Sequence, residues 1–188
     1  MPLARTGVDR DTKVDEVLRA AERRLVSGGY DEMSVAGIAR DLGVAQNSIY
    51  WYFPSKDDLF VAVLRRLLAG LASKKPPQRR GLVAQVLWAT DRMHDLSPLR
   101  AALHERAAKS EAAGEFEAEV DGLVRRLLVH GIEPHLGAGE VEIAATTFLA
   151  TVEGTFRLGL SKSERHRAIR FALERIVNLP EQAPPSSS

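Results

Sequence analysis

The sequence predicts an all-α protein of about nine helices: an N-terminal three-helix domain of helix-turn-helix type, then a longer helical domain. Three observations predict it. Apolar residues recur three and four positions apart along most of the 188 residues, and no strand-like run stands out after residue 75. Between Ser34 and Phe60, two short helical patterns flank a glycine-containing turn and a capped third helix follows. Ser, Pro and Gly punctuate the ends of the patterned segments.

Residues 1–12 read as a flexible start, with Pro2, Gly7 and alternating charge, from which Arg5 and Arg10 could reach a DNA minor groove. The first helix is expected from about Thr12 to Ser27. Val14, Val17, Leu18, Ala21, Leu25 and Val26 form its apolar stripe, and Gly28 and Gly29 end it. In the second helix Val35, Ile38, Ala39 and Leu42 share one face. Gly43 suits a helix end that needs a left-handed backbone. The third helix is expected over Ala45–Phe53, with Ile49, Tyr52 and Phe53 turned inward and Gln46, Asn47, Tyr50 and Trp51 outward.

That outward face has the chemistry of base reading. Gln and Asn amides can pair with an adenine edge, and Ser can bond several bases. Tyr hydroxyls, and a Lys at a helix start, can hold phosphates. Pro54 stops the third helix, and Ser55 caps a fourth running to about Ser73, with Asp58 as a weak capping partner. Lys56 then lies in a first turn whose amides already favour an anion.

The ordered motifs Ser34-Val35-Ala36-Gly37-Ile38-Ala39, Gly43-Val44, Ile49-Tyr50-Trp51-Tyr52-Phe53 and Ser55-Lys56-Asp57-Asp58-Leu59 resemble the DNA-binding domain of the tetracycline-repressor (TetR) family of bacterial regulators. The resemblance implies DNA contacts from Ser34, Ala45, Gln46, Asn47, Ser48, Tyr50, Trp51, Tyr52 and Lys56. Two positions depart from the family pattern. Gly37 stands where Glu or Asp is usual, which removes the capping box after Ser34 and costs about 0.5–1 kcal/mol as a helical glycine. Ala45 stands where Ser or Thr is usual, which removes a cap worth about 1 kcal/mol.

The expected layout is a helix-turn-helix domain over 1–54, a connecting helix over 55–75, a second domain over 76–180 and a disordered tail over 181–188. Lys74-Lys75-Pro76-Pro77 marks the boundary. Five further helices are expected at about 78–95, 97–110, 112–136, 139–160 and 162–178. Ser97-Pro98 opens the sixth, while Pro134 and Gly137 close the seventh. By position, length and pattern the second domain resembles the family's ligand-binding and dimerisation domain, and Leu149–Gly154 is its nearest local match.

The resemblance implies a homodimer joined through the eighth and ninth helices. Phe148, Leu149, Val152 and Phe156, with Ile169, Ala172, Leu173 and Ile176, are the candidates for its apolar faces, and some of them must instead face the monomer core. A dimer also has a physical warrant, because two recognition helices about 34–36 Å apart meet successive major grooves and read a palindromic operator. An effector cavity would draw on Trp88, Met93, His94, Leu96, Leu103, Phe116, Leu123, Leu127, Phe148 and Thr151, mostly apolar with a few polar groups.

The remaining chemistry argues against catalysis, metals and cofactors. His104-Glu105 starts like a zinc-protease motif, but Ala108 stands where a second His is needed. His130 and His135 are five apart around Pro134, and Glu115, Glu117 and Glu119 read as a solvated face. Cysteine is absent, no apolar run approaches membrane-spanning length, and MPLARTGVDRDTK lacks a secretory core, which together fit a cytoplasmic protein. Ten basic residues meet ten acidic ones in the first 72, so any grip on DNA phosphates rests on a few placed contacts and a shallow salt dependence. Two other readings stay open: a DNA-binding dimer without an effector, and a helical carrier or interaction protein that has lost DNA binding.

Overall fold

The computed structural model describes residues 5–73, 81–137 and 139–177. Among them lie nine α-helices, one 3-10 turn and no strand: α1 (Arg5–Glu32), α2 (Val35–Leu42), α3 (Gln46–Tyr50), α4 (Lys56–Ala72), α5 (Gly81–Asp95), α6 (Ser97–Ala107), α7 (Glu111–Ile132), α8 (Val141–Arg157) and α9 (Lys162–Ile176), with the turn at Glu133–His135. The all-α class and the succession of helices are as the sequence predicts. The expected boundary around Lys74–Pro77, the tail over 181–188 and the outer ends of the fifth and ninth helices lie outside the described residues.

Helix ends differ from expectation in several places, among them α7 and α8, which stop at Ile132 and Arg157 rather than near 136 and 160. Helix α1 begins at Arg5 rather than Thr12, so Arg5 and Arg10 lie on a helix and not on a flexible arm. The expected glycine stop is present: Gly29 takes φ 75°, a left-handed value that breaks the helical run. In turn, α3 stops at Tyr50 instead of Phe53. Pro54 biases Phe53 out of helical geometry, and the N–H groups of Tyr52 and Phe53 both turn back to the Ile49 carbonyl at 3.0 Å. Helix α6 ends at Ala107 and leaves Lys109 and Ser110 in the turn before α7.

The described residues pack as two units. One takes 5–73 together with 97–118; the other takes 81–96, 119–137 and 139–177. In the first unit α1 packs on α2, α4 and α6, and α2 packs on α3. Leu25, Met33, Ile38, Ile49, Leu59 and Phe60 are almost wholly buried, each contributing about 1.5–3 kcal/mol by leaving water. Tyr30 meets Phe60 edge-on, with centroids 5.0 Å apart. In the second unit α9 packs on α5 and α8. Leu87, Ile132, Phe148, Val152, Ile169 and Leu173 belong to one apolar cluster, with Leu128 and Val129 of α7 packed against it. No helix of the described residues is long and apolar enough to cross a membrane.

Candidate nucleic-acid interface

The turn between α2 and α3 is built from the backbone up. Ser34 is extended at φ −87°, ψ 134°, and its hydroxyl oxygen accepts the Gly37 N–H at 3.0 Å. The loss expected from Gly37 therefore touches only the reciprocal half of the capping box. At the other end Gly43 takes φ 65°, ψ 30°, and Val44 donates to the Ala39 carbonyl at 3.0 Å, closing the helix with a Schellman bond.

Gly37 has a further use that the sequence does not reveal. The Arg24 side chain of α1 crosses it to clasp Asp41 with both ends of its fork, at 2.7 and 2.9 Å. A Cβ at position 37 would stand 2.7 Å from the Arg24 guanidinium and from Ser34 Oγ. The hydrogen bond from Arg24 holds the Asp41 carboxyl below its ordinary value.

In α3, Ile49 is the anchor, 1% exposed, and Phe53 just beyond the helix is buried too. Gln46, Asn47 and Ser48 are exposed, together with Ala45 before them. Tyr50 is 40% exposed and Trp51 85%. Tyr52 and Ser34 are half-buried. Ala45 has the extended backbone of an N-cap without a side-chain cap, as the sequence predicts.

Lys56 opens α4. Ser55 accepts the Asp58 N–H at 3.1 Å, and its own hydroxyl donates to the Asp58 carboxylate at 2.6 Å. The Lys56 ammonium lies 4.0 Å from the centre of the Tyr30 ring, and burial pushes it below the ordinary lysine value. Asp57, next in the chain, is buried. It accepts Arg106 of α6 at 2.9 and 2.8 Å and the Tyr30 hydroxyl at 2.6 Å. Those donors, Arg106 first, hold the Asp57 carboxyl low, while burial pushes the Tyr30 hydroxyl up. Sequence reading passed over this cluster. Arg106 stands 49 residues from Asp57, and no periodicity couples positions that far apart.

The ten effector candidates do not gather in one unit. Leu103 and Phe116 are buried in the first, where Arg65 lies 4.7 Å above the Phe116 ring. The other eight belong to the second unit. There Phe148 sits inside the apolar cluster, while Leu123 and Leu127 are 44% and 64% exposed. Trp88, Met93, His94, Leu96 and Thr151 are half-buried, and His94 meets Phe156 edge-on at 5.6 Å. Two open clefts, of about 530 and 210 Å³, are lined by other residues: Arg19, Arg23 and Arg66 in the first unit, Arg125, Arg126 and His130 in the second. Glu117, expected on a solvated face, is half-buried with its carboxylate 3.0 Å from His104 Nδ1.

Known proteins fit this geometry. Residues 17–63 match the description of the bacterial regulatory proteins of the tetR family. An uncharacterized HTH-type transcriptional regulator of Mycobacterium bovis is 26% identical over 156 residues, covering 79% of this chain and 82% of the relative. Among solved structures, a transcriptional regulator from Rhodococcus sp. Rha1 superposes with a TM-score of 0.71 at 20% identity, over 91% of this chain and 99% of the other. A putative TetR-family regulator from Mesorhizobium loti gives a TM-score of 0.66 at 19% identity, over 89% and 96%. Those two likenesses speak for the fold, and the N-terminal match speaks for the motif. With an exposed recognition helix on a capped helix-turn-helix, residues 17–63 form a DNA-binding domain of the tetR type, and the chain is a DNA-binding transcriptional regulator.

Proposed function

We propose that the protein is a homodimeric, ligand-responsive repressor that reads a palindromic operator and is released from it by a small-molecule effector. The outward face of α3 carries the reading: Gln46, Asn47 and Ser48 are exposed polar groups beside Tyr50 and Trp51, all seated by one buried residue, Ile49. In this reading Gln46, Asn47 and Ser48 meet base edges, and Ser34, Tyr50, Tyr52 and Lys56 meet the backbone. Ala45 and Trp51 complete the contact surface.

Pairing of two copies through α8 and α9 is supported by Ile143 and Phe171, which are 65% and 64% exposed on those helices. A small-molecule effector enters through the second unit, where Trp88, Met93 and His94 line α5. Bound effector must favour one of two arrangements of the dimer to change its affinity for DNA. One observation favours a second reading, a dimer with no effector: Phe148 is 3% exposed within an apolar cluster.

Selection of the purified protein against random duplex DNA tests the proposal, and recovery of a palindrome is the expected result. Gln46→Ala or Asn47→Ala then relaxes discrimination at particular bases by about 1–3 kcal/mol. No enrichment, and no binding at low salt, would remove the repressor reading.

A further inference from the structure

The start of α4 poses an electrostatic problem. It is the helix end where an anion would be held, yet Asp57 and Asp58 directly follow Lys56. Asp58 is occupied by the Ser55 cap. Asp57 is 8% exposed, and a buried carboxylate must be paired or it draws in whatever cation is near.

We propose that Arg106 of α6 is a positioning residue for DNA binding: it saturates the Asp57 carboxylate, so that the adjacent Lys56 stays free to take a backbone phosphate. The inference rests on the reading of Lys56 as a phosphate contact and names what keeps that contact available.

The geometry is that of a saturated carboxylate. Arg106 Nε donates to Oδ1 at 2.9 Å and Nη2 to Oδ2 at 2.8 Å, while the Tyr30 hydroxyl adds a third bond to Oδ1 at 2.6 Å. Ser110, in the turn after α6, is a further group that helps to hold the Asp57 carboxyl low. The Tyr30 ring is a shared platform: Lys56 Nζ lies 4.0 Å and Arg106 Cζ 5.1 Å from its centroid. Two cations and one carboxylate thus surround one ring, and the surplus positive charge belongs to Lys56, with Asp31 the other acid acting on it. Without Arg106 that surplus is gone. The carboxylate keeps only hydroxyl donors, and Lys56, on the same ring, becomes its counterion. A phosphate arriving at α4 then meets a neutral pair. The fork shape of Arg106 matters because it covers both oxygens at once.

The test is the salt dependence of binding to a mixed-sequence duplex, where phosphate contacts dominate. Lys56→Ala and Arg106→Gln are each expected to lower the slope of log K against log salt by about 0.9 per protomer. In the Asp57→Asn background the carboxylate is gone, so Asp57→Asn and Asp57→Asn/Arg106→Gln are both expected to keep the parent slope. A merely structural Arg106 would leave the double variant as low as Arg106→Gln, and that result overturns the inference. So does a parent slope in Arg106→Gln. If circular dichroism shows that Arg106→Gln does not fold, the two Asp57→Asn chains carry the test, since neither buries an unpaired carboxylate. An unchanged slope in Lys56→Ala removes the phosphate reading and this inference together. A lowered slope there with a parent slope in Arg106→Gln removes this inference alone.

Discussion

The two units turn different chemistry outward. On α3 of the first unit the exposed groups are amides, hydroxyls and aromatic rings, with Trp51 at 85% exposure. On α8 and α9 of the second, Ile143 and Phe171 are exposed, and Leu158 follows α8 at 75%. The ties between their helices differ as well. The first unit ties helices together through ion pairs across long stretches of sequence: Arg24 to Asp41, Arg66 to Asp15 and Glu22, Arg106 to Asp57. The second combines an apolar cluster with the Arg125–Glu142 pair and a charged hub, Asp91, which takes Lys162, Arg165 and His166 at 2.9, 3.1 and 2.8 Å. The lesson is about information. A face of hydrogen-bonding groups specifies the edges it can meet, whereas an apolar face specifies only a shape to be covered.

The sharpest way to break the comparison is to charge the apolar face. Ile143→Asp with Phe171→Asp should leave each chain folded but split the dimer. Operator affinity should fall about a thousandfold, toward the non-specific level. Sedimentation and DNA titration read this, and a persisting dimer would move the interface elsewhere.

Next comes the hub. Burial opposes the charge on Asp91, but the donors from His166, Lys162 and Arg165 outweigh it and hold the carboxyl at about 2 against an ordinary 3.8. A lowered acid stabilises the fold above its unfolded value, and the gain disappears as pH falls through the folded value. Asp91→Asn should therefore cost about 2 kcal/mol at neutral pH. Its melting curve should lose that share of the acid dependence between pH about 4 and about 2.

A smaller effect is expected in the first unit. Ala45→Ser supplies the missing cap of α3 on a backbone already set at φ −69°, ψ 141°. It should raise stability by about 1 kcal/mol, read by thermal melting. The smallest concerns Gly37→Ala. Better helix propensity, worth about 0.5–1 kcal/mol, is offset by eviction of Arg24, so the net change should stay within about 1 kcal/mol. The sharper sign is coupling: any cost of Arg24→Ala should vanish in the Gly37→Ala background.

The motif was legible because its signals are local. Ser34, Gly43, Pro54 and Ser55 each act within a few residues, and α2 and α4 fall where those signals place them, while α3 stops three residues short. Boundaries without such a signal were missed: nothing in residues 5–11 marks the true start of α1. Long-range pairs were invisible. Arg24 and Asp41 are 17 residues apart, and Gly37 reads as a defect until the guanidinium above it is seen. In the sequence Leu103 and Phe116 group with the effector candidates, because apolar spacing says that a residue is buried, not beside what. Their membership of the first unit depends on the chain returning there after α5.

The exposure of Trp51 also has an optical consequence. The chain has two tryptophans, and they fall in different units: Trp51 beyond α3, and Trp88 on α5 with Arg92 5.9 Å from its ring. The protein thus carries two intrinsic fluorophores, one beside its reading surface and one in the second unit. Trp88→Phe leaves a single emitter open to iodide quenching and shielded when duplex DNA covers it. Trp51→Phe leaves a single emitter that watches α5. Each half can be followed by its own light, without an attached dye.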